Sequence, residues 1–167
     1  MNLSMYRGSV PVFLRGLHIL DTLLDKAEAF EHEAGLTPGS LVAARLAEDM
    51  LPLSGQVQRA SDASKLAAVR LTGLEAPRFE DVETTFAQLH ERIAKTIAFL
   101  QTVDASAMDG AHEREVIVRA GKTEKTFRGD DYLFAFAIPN FFFHVTTAYA
   151  ILRHKGVTIG KLDFLGG

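Results

Sequence analysis

The sequence predicts an all-α fold, namely an antiparallel four-helix bundle with a small β-hairpin inserted before the last helix. Apolar residues recur at helical spacing in four long segments, and the connections between these segments are short. An alternating segment with a turn in its middle precedes the last of the four. The 167 residues fit one domain, which we assign to residues 1–167 and which is long enough to bury a substantial core.

The first two helices are predicted in the N-terminal part of the chain. Apolar residues at helical spacing, with charged residues between them, indicate an amphipathic helix over residues 12–34. A second helical pattern covers residues 41–69 and ends before Gly73. Because Pro52 falls inside this pattern, we expect a kink or a break over residues 50–53.

The third helix shows the clearest pattern. Acidic residues over 80–83 would occupy its first turn, where negative charge complements the helix dipole. The helix is expected to end near Val103. Its buried stripe is predicted to comprise Val82, Phe86, Leu89, Ile93, Ile97 and Leu100.

A β-hairpin and the last helix complete the predicted fold. Residues 114–119 and 123–128 alternate in polarity around a turn-like segment, which indicates a hairpin that packs on the bundle. Residues 132–154 are apolar on nearly all sides at first, so we expect the most buried helix, with an aspartate as N-cap and a kink at Pro139. The tail, residues 157–167, is expected to be extended and packed over one end.

The composition argues against nucleic acids and membranes as partners of the protein. A net charge of −3 with no basic stripe predicts no nucleic-acid partner. The sequence has no polybasic segment, and its longest apolar run, residues 132–143, is interrupted at Pro139 and short for a bilayer, so we expect no membrane partner. Cysteine is absent, which excludes disulfides, thiolate metal sites and cysteine nucleophiles and is compatible with the cytoplasmic location that we expect.

Polar residues on otherwise apolar helices are the candidates for chemistry, because bundle proteins build their sites from side chains that face the interior. One set lies on a single face of the last helix and comprises Asn140, His144 and Thr147. The other set lies on a single face of the second helix, provided that Pro52 only kinks it, and comprises Arg45, Asp49 and Gln56.

These sets allow a functional and a structural interpretation. In the functional one, His144 is a metal ligand or general base, and Asp49 across the bundle is a second ligand or an orienting carboxylate. The functional interpretation also includes a pocket that binds a ligand without a metal ion. In the structural one, the same side chains form a hydrogen-bonded core network that fixes helix register. Ligand counting argues against the metal site alone, because a divalent metal needs about three protein ligands and the sequence offers two credible ones. We favour the structural interpretation over both functional ones.

Three segments that contain these residues resemble the signature of a bacterial and fungal family of unknown function. They are PNFFFHVTTAYAILRHKG at residues 139–156, RLAEDM at residues 45–50 followed by Gln56 and Val57, and KLDFLG at residues 161–166. That family is placed in the DinB/YfiT-like superfamily of metalloenzymes. The resemblance covers almost the whole chain and implies a DinB-like four-helix bundle that forms homodimers.

The resemblance also implies a metal site. In that superfamily, one histidine of the second helix and a His-x-x-x-His pair of the last helix bind nickel, zinc or a similar ion, and some members are thiol transferases or hydrolases. His144 matches the first histidine of the pair, Ala148 replaces the second, and Asp49 stands near the second-helix position. The resemblance therefore implies either a site rebuilt from His144, Asp49 and His18 or a branch that has lost its metal.

Two hypotheses follow for the function. In the first, the protein binds a small molecule, with or without a divalent metal, in an interior pocket whose candidate residues are Arg45, Asp49, Gln56, Asn140, His144, Tyr149 and Arg153. If it is an enzyme, the chemistry would be transfer or hydrolysis, and Arg45 or Arg153 would hold an anionic substrate group. In the second, the protein is a non-catalytic homodimer with a degenerate metal site, and a surface of Phe134, Phe136 and Phe141 serves the dimer or another partner.

Overall fold

The chain folds into a mostly helical structure with one two-stranded antiparallel sheet before its last long helix, as the sequence predicts. The computed structural model describes residues 4–120 and 122–166. Its elements in chain order are α1 (Val10–Glu33), α2 (Leu53–Thr72), α3 (Phe86–Gln101), β1 (Glu115–Ala120), β2 (Thr123–Arg128), α4 (Gly129–His154) and α5 (Lys161–Leu165). Two short 3-10 turns, Ala105–Met108 and Ala111–Glu113, connect α3 to the hairpin.

Helix α4 packs against α1 and α2, and α3 packs against the same two helices. The Phe141 ring of α4 meets Phe13 of α1 edge-on, with ring centroids 5.1 Å apart. This ring occupies the space that a Cβ on Gly16 would need, so the absence of a side chain at Gly16 permits the close approach of α1 and α4. A hydrogen bond from Arg70 to Tyr132 joins the end of α2 to the beginning of α4, so these helices run antiparallel.

Helix α2 begins at Leu53, so the predicted helix over residues 41–69 is wrong before Pro52. Pro52 has extended backbone angles, φ −66° and ψ 172°, and acts as the residue before the helix rather than as a kink within it. The preceding turns are held by the buried Glu31 carboxylate, which accepts hydrogen bonds from the backbone N–H groups of Gly39 and Leu41 at 2.8 and 2.9 Å. The region before Pro52 therefore has its own stable alternative to a helix.

Helix α3 begins at Phe86, later than predicted, because Thr85 and Gln88 form a capping box. The acidic residues assigned to its first turn lie instead in a segment without regular secondary structure, residues 74–85, which we call the strap. Val82 of the strap is 65% exposed, so its assignment to the buried stripe is wrong. The rest of the stripe lies in the core or packs against it.

The hairpin is confirmed, with strands β1 and β2 paired so that Val116 lies opposite Phe127. Val116 is buried, and Phe127 packs on Tyr132 and Phe136 of α4 with ring centroids 6.2 and 5.7 Å away. These aromatic contacts supply the tertiary support that an isolated two-stranded hairpin lacks.

Helix α4 continues through Pro139 because the turns before it are widened. Residues Tyr132–Ala137 are π-helical, and a widened turn relieves the clash between a proline ring and the preceding turn. The expected kink therefore takes the form of a π-helical segment. The helix is not buried on all sides, since the side chains of Phe134 and Phe143 are 47% and 57% exposed.

Two further expectations for α4 need correction. The residue before the helix is Arg128, not an aspartate, and Asp130 of the first turn accepts a hydrogen bond from the Arg128 Nε atom at 2.8 Å. The helix is also 26 residues long, and by length and composition alone it could cross a membrane. Because Leu133, Phe141 and Val145 are buried in the bundle, we interpret it as a core helix.

The tail packs over one end of the bundle. It is not extended throughout, because residues Lys161–Leu165 form the helix α5. Val157 and Ile159 ahead of α5 are buried, and the Lys26 ammonium of α1 pairs with Asp163 of α5. The last residue, Gly167, lies outside the described residues.

We expect Gly129→Ala to lower the free energy of unfolding by about 3 kcal/mol, because an added Cβ would lie 1.8 Å from the backbone oxygen of Ala111. A backbone carbonyl cannot move aside as a flexible side chain can. Chemical denaturation measures the change. Gly160→Ala is the control, since its Cβ would meet nothing nearer than 4.0 Å and the backbone there is extended. Equal stability of both variants would contradict the described junction of hairpin and α4.

Candidate functional site

The structure brings together one pair of the predicted site residues, Gln56 of α2 and His144 of α4. Gln56 lies in the first turns of α2, is 2% exposed, and faces α4. Its side-chain oxygen Oε1 lies 2.8 Å from Nδ1 of His144, which is partly buried. The two helices thus hold an amide and an imidazole in direct contact where the bundle meets solvent.

The orientation of this pair is set by the backbone ahead of α2. The Gln56 amide nitrogen donates a hydrogen bond to the carbonyl oxygen of Leu51 at 3.1 Å. A carbonyl oxygen can only accept, so the amide nitrogen must face Leu51 and the amide oxygen must face His144. Since that oxygen also only accepts, Nδ1 of His144 must carry the proton.

The same chain of contacts leaves Nε2 of His144 as an acceptor. In the described part of the chain, Nε2 has no hydrogen-bond partner from the protein. It is not fully buried either, since the buried side-chain atoms without a partner are Nε2 of His90 and Nε of Arg92. Burial, with a smaller contribution from the positive charge of Arg59, lowers the pKa of His144 to about 4. The imidazole is therefore neutral near pH 7 and offers its Nε2 lone pair to a ligand.

The surroundings of the pair combine apolar surface with positive charge. The Phe143 ring contacts the His144 ring edge-on, with centroids 5.2 Å apart, and is largely exposed. Leu51 is also exposed. Arg59 supplies the positive charge, and its own guanidinium contacts Asp62 and Asp81 at 3.5 and 3.1 Å.

The other residues of the predicted pocket lie apart from this pair. Arg45 and Asp49 are exposed in the turns before α2, and the Arg45 guanidinium donates to the carbonyl oxygen of Met50. The predicted helical face that joins them to Gln56 is therefore wrong, because Pro52 separates the two segments. His18 of α1 is exposed.

On α4, Asn140 lies one turn before His144 and is partly buried. The Thr147 hydroxyl donates to the carbonyl oxygen of Phe143. Tyr149 packs edge-on against Phe164 of the tail at 5.8 Å, and Arg153 donates to the carbonyl oxygen of Val157 at 3.4 Å. Tyr149 and Arg153 thus hold the C-terminal segment rather than the Gln56–His144 pair.

The metal ligands that the resemblance implies do not fit the residues present. Among residues 4–120 and 122–166, no group of three or more histidine, aspartate or glutamate side chains is placed to hold a metal ion. His144 has a single ligating nitrogen available, because Nδ1 is engaged by Gln56. Position 148 is a buried alanine, so it supplies no ligand. One histidine nitrogen falls short of the three protein ligands or so that a catalytic zinc site uses.

Sequence reasoning missed Arg59 and the carbonyl group of Leu51. The available signal was Pro52: a helix that starts there places Gln56 in its first turns and Arg59 three residues later on the same side. The role of the Leu51 carbonyl follows only from the backbone turn, which composition and spacing do not reveal.

A second polar cluster fastens the strap to α2 and α3. The fully buried Arg92 guanidinium of α3 contacts the carboxylates of Asp62, Asp81 and Glu83 at distances between 2.9 and 3.2 Å. Burial alone would raise the pKa of Glu83, but hydrogen bonds from Arg92 and Gln58 hold it below its usual value. A buried charge needs such partners, so this cluster is part of the structural framework.

Comparison with known proteins identifies both the family and the fold. Residues 5–165 match the family model described as Domain of unknown function (DUF1993). The crystal structure of a DinB family member protein from Shewanella denitrificans is 39% identical in sequence, superposes with a TM-score of 0.91, and matches over 98% of this chain and 92% of that chain. No curated protein matches the sequence.

We expect the stability that His144 contributes to decline as the pH falls. Its pKa is about 4 in the folded protein against 6.5 for the free side chain, so between these values the unfolded chain binds a proton that the folded protein does not. The difference in unfolding free energy between wild type and His144→Gln should shrink by about 1 kcal/mol from pH 7.5 to pH 5, after allowance for the partial exposure of the ring.

Chemical denaturation at the two pH values measures this difference. His112→Gln, which removes an exposed histidine near the hairpin, is the matched control. A constant difference between wild type and His144→Gln across this range would show that His144 is not held neutral by burial.

Proposed function

The chain belongs to the DUF1993 family and has the fold of a DinB family member, and from this premise we propose that it binds a small molecule at the Gln56–His144 pair without a resident metal. The observation that carries the proposal is the asymmetric use of the His144 ring. Nδ1 is fixed by a buried amide at 2.8 Å, whereas Nε2 is left with no protein partner in the described residues.

The arrangement favours a ligand site over a purely structural role. A histidine that only fixes helix register gains most when both of its nitrogens are hydrogen-bonded within the protein. Here Nδ1 is hydrogen-bonded to Gln56, whereas Nε2 lies on the side of the ring that faces solvent. Exposed apolar side chains and the positive charge of Arg59 are close to the ring. This combination shares one feature with ligand sites, in which apolar surface supplies affinity and a few fixed polar groups supply orientation.

Binding fits the properties of His144 better than proton transfer does. A general base works best when its pKa is near the working pH, and the pKa of His144 is about 4. At pH 7 the imidazole is a fixed hydrogen-bond acceptor but a weak base. We therefore propose a binding role for His144.

We expect a library of small, drug-fragment compounds to contain members that shift the NMR signals of the His144 ring in a saturable way. Gln56→Met should weaken these compounds about tenfold, because the ring loses the acceptor that fixes its orientation. Gln101→Met, at the exposed end of α3, is the matched control and should leave the affinities unchanged. A library in which no compound shifts the His144 ring, or whose His144-shifting compounds bind Gln56→Met equally well, would contradict the proposal.

Metal content provides an independent test. After incubation with nickel or zinc and removal of free ions, elemental analysis should find far less than one equivalent of metal in both the wild type and His144→Ala. The physical reason is the lack of three grouped ligands in the described part of the chain. One equivalent of metal in the wild type, lost in His144→Ala, would contradict the metal-free form of the proposal.

The second candidate is a non-catalytic homodimer with a degenerate metal site. Exposed apolar side chains favour it: Phe134 and Phe143 on α4, and Leu162 and Leu165 on α5. Phe141 is fully buried against α1 and therefore cannot take the surface role that the sequence suggested.

On this second candidate, the wild type should sediment as a dimer, and serine in place of Leu162 or Phe143 should weaken the dimer about tenfold or more by removing buried apolar area. Analytical ultracentrifugation over a range of concentrations measures both. Ile117→Ser, which changes an exposed apolar residue of the hairpin, is the control. A wild type that remains monomeric at high concentration would exclude this candidate.

A further inference from the structure

Arg59 is a positively charged side chain of α2 that influences the Gln56–His144 pair. It follows Gln56 by three residues in α2, so the two side chains project from neighbouring positions on the helix surface. Its side chain is 46% exposed, and its charge reaches His144 strongly enough to contribute to the lowered pKa of that ring. A ligand on Nε2 of His144 would therefore lie within the field of an accessible guanidinium.

The present partner of Arg59 is a carboxylate of the strap. Oδ2 of Asp81 lies 3.1 Å from one Arg59 nitrogen, and Oδ1 of the same carboxylate lies 3.0 Å from Arg92. Asp81 thus sits between two guanidinium groups, as a bound anion would. Three cations lie around it, Arg59, Lys65 and Arg92, and they face two further carboxylates, Asp62 and Glu83.

We propose that Arg59 anchors an oxyanion on the small molecule, a carboxylate or a phosphate, and that an adjacent O–H or N–H of the same molecule donates to Nε2 of His144. This inference rests on the proposed function and names the ligand class for that site. The ligand anion takes the place of Asp81 on Arg59. A neutral molecule would lack the anion for Arg59, and an anion without an O–H or N–H would lack the donor for His144.

Exchange of the anion for Asp81 needs little rearrangement. The Arg59–Asp81 pair is partly exposed on both sides, and ion pairs in such positions contribute little to stability. The strap stays in place without it, because Glu83 remains paired with Arg92 at 2.9 Å and the Phe79 ring remains under the Lys65 ammonium at 4.2 Å. Only the Arg59 side chain has to turn from Asp81 to the ligand, and Asp81 keeps its contact with the fully buried Arg92 at 3.0 Å.

Inorganic phosphate and sulfate provide the decisive pair of probes. At neutral pH, phosphate carries both negative oxygens and an O–H donor, whereas sulfate has a similar shape and charge but no donor. At equal ionic strength, phosphate should shift the NMR signals of the His144 ring in a saturable way and bind about tenfold more tightly than sulfate, the equivalent of one hydrogen bond. Glycolate against acetate repeats the comparison for carboxylates and shows which oxyanion the site prefers.

Three variants test the role of Arg59. Arg59→Gln should weaken phosphate about tenfold or more, and Asp81→Asn should strengthen it severalfold by removing the competing carboxylate. Arg119→Gln is the matched control, because Arg119 is an exposed hairpin arginine that also pairs with a carboxylate, Glu124. Thermal melts of each variant confirm that it is folded.

Failure of this inference can be told apart from failure of the proposed function. If fragments shift His144 but phosphate affinity is the same in Arg59→Gln and wild type, the inference is overturned and the proposed function stands. The same holds if sulfate binds as tightly as phosphate. If neither the anions nor the fragments shift His144, both are overturned.

Discussion

The carbonyl oxygen of Leu51 can accept a hydrogen bond but cannot donate one, and the state of His144 depends on this restriction. It fixes which end of the Gln56 amide faces α4, and the amide in turn fixes which nitrogen of His144 carries the proton. The result is an imidazole with one nitrogen engaged inside the bundle and the other available outside it. A local backbone property at the start of α2 thus sets the chemistry that α4 presents to solvent.

Pro52 makes this arrangement possible. Because proline has no N–H and disfavours a preceding helical turn, α2 starts immediately after it, and the Leu51 carbonyl stays outside the helix, where the Gln56 side chain can reach it. Had the helix continued from residue 41, the oxygen of Leu51 would have been bonded within the helix. The same proline separates Arg45 and Asp49 from Gln56, so the carboxylate that the resemblance places near the metal is exposed elsewhere.

The fold was predictable because its signals are local and repetitive. Helical spacing located α1, α3 and α4, alternation with a turn located the hairpin, and the residues shared with the family supported the bundle. The boundaries were less predictable, since side-chain caps and turns such as the Thr85–Gln88 box and the Glu31 contacts decide them. Of the site, the sequence identified Gln56 and His144 as candidates but paired His144 with Asp49, because it offered no means to decide whether Pro52 kinks a helix or begins one.

The most direct test of this account is the protonation of the His144 ring, observed by long-range proton–nitrogen correlation NMR on histidine labelled with nitrogen-15. At pH 7 the account predicts a neutral ring with the proton on Nδ1 and an unprotonated Nε2. A proton on Nε2 instead, or a cationic ring, would contradict it, because either state would mean that the Leu51–Gln56–His144 contacts do not set the chemistry of the site.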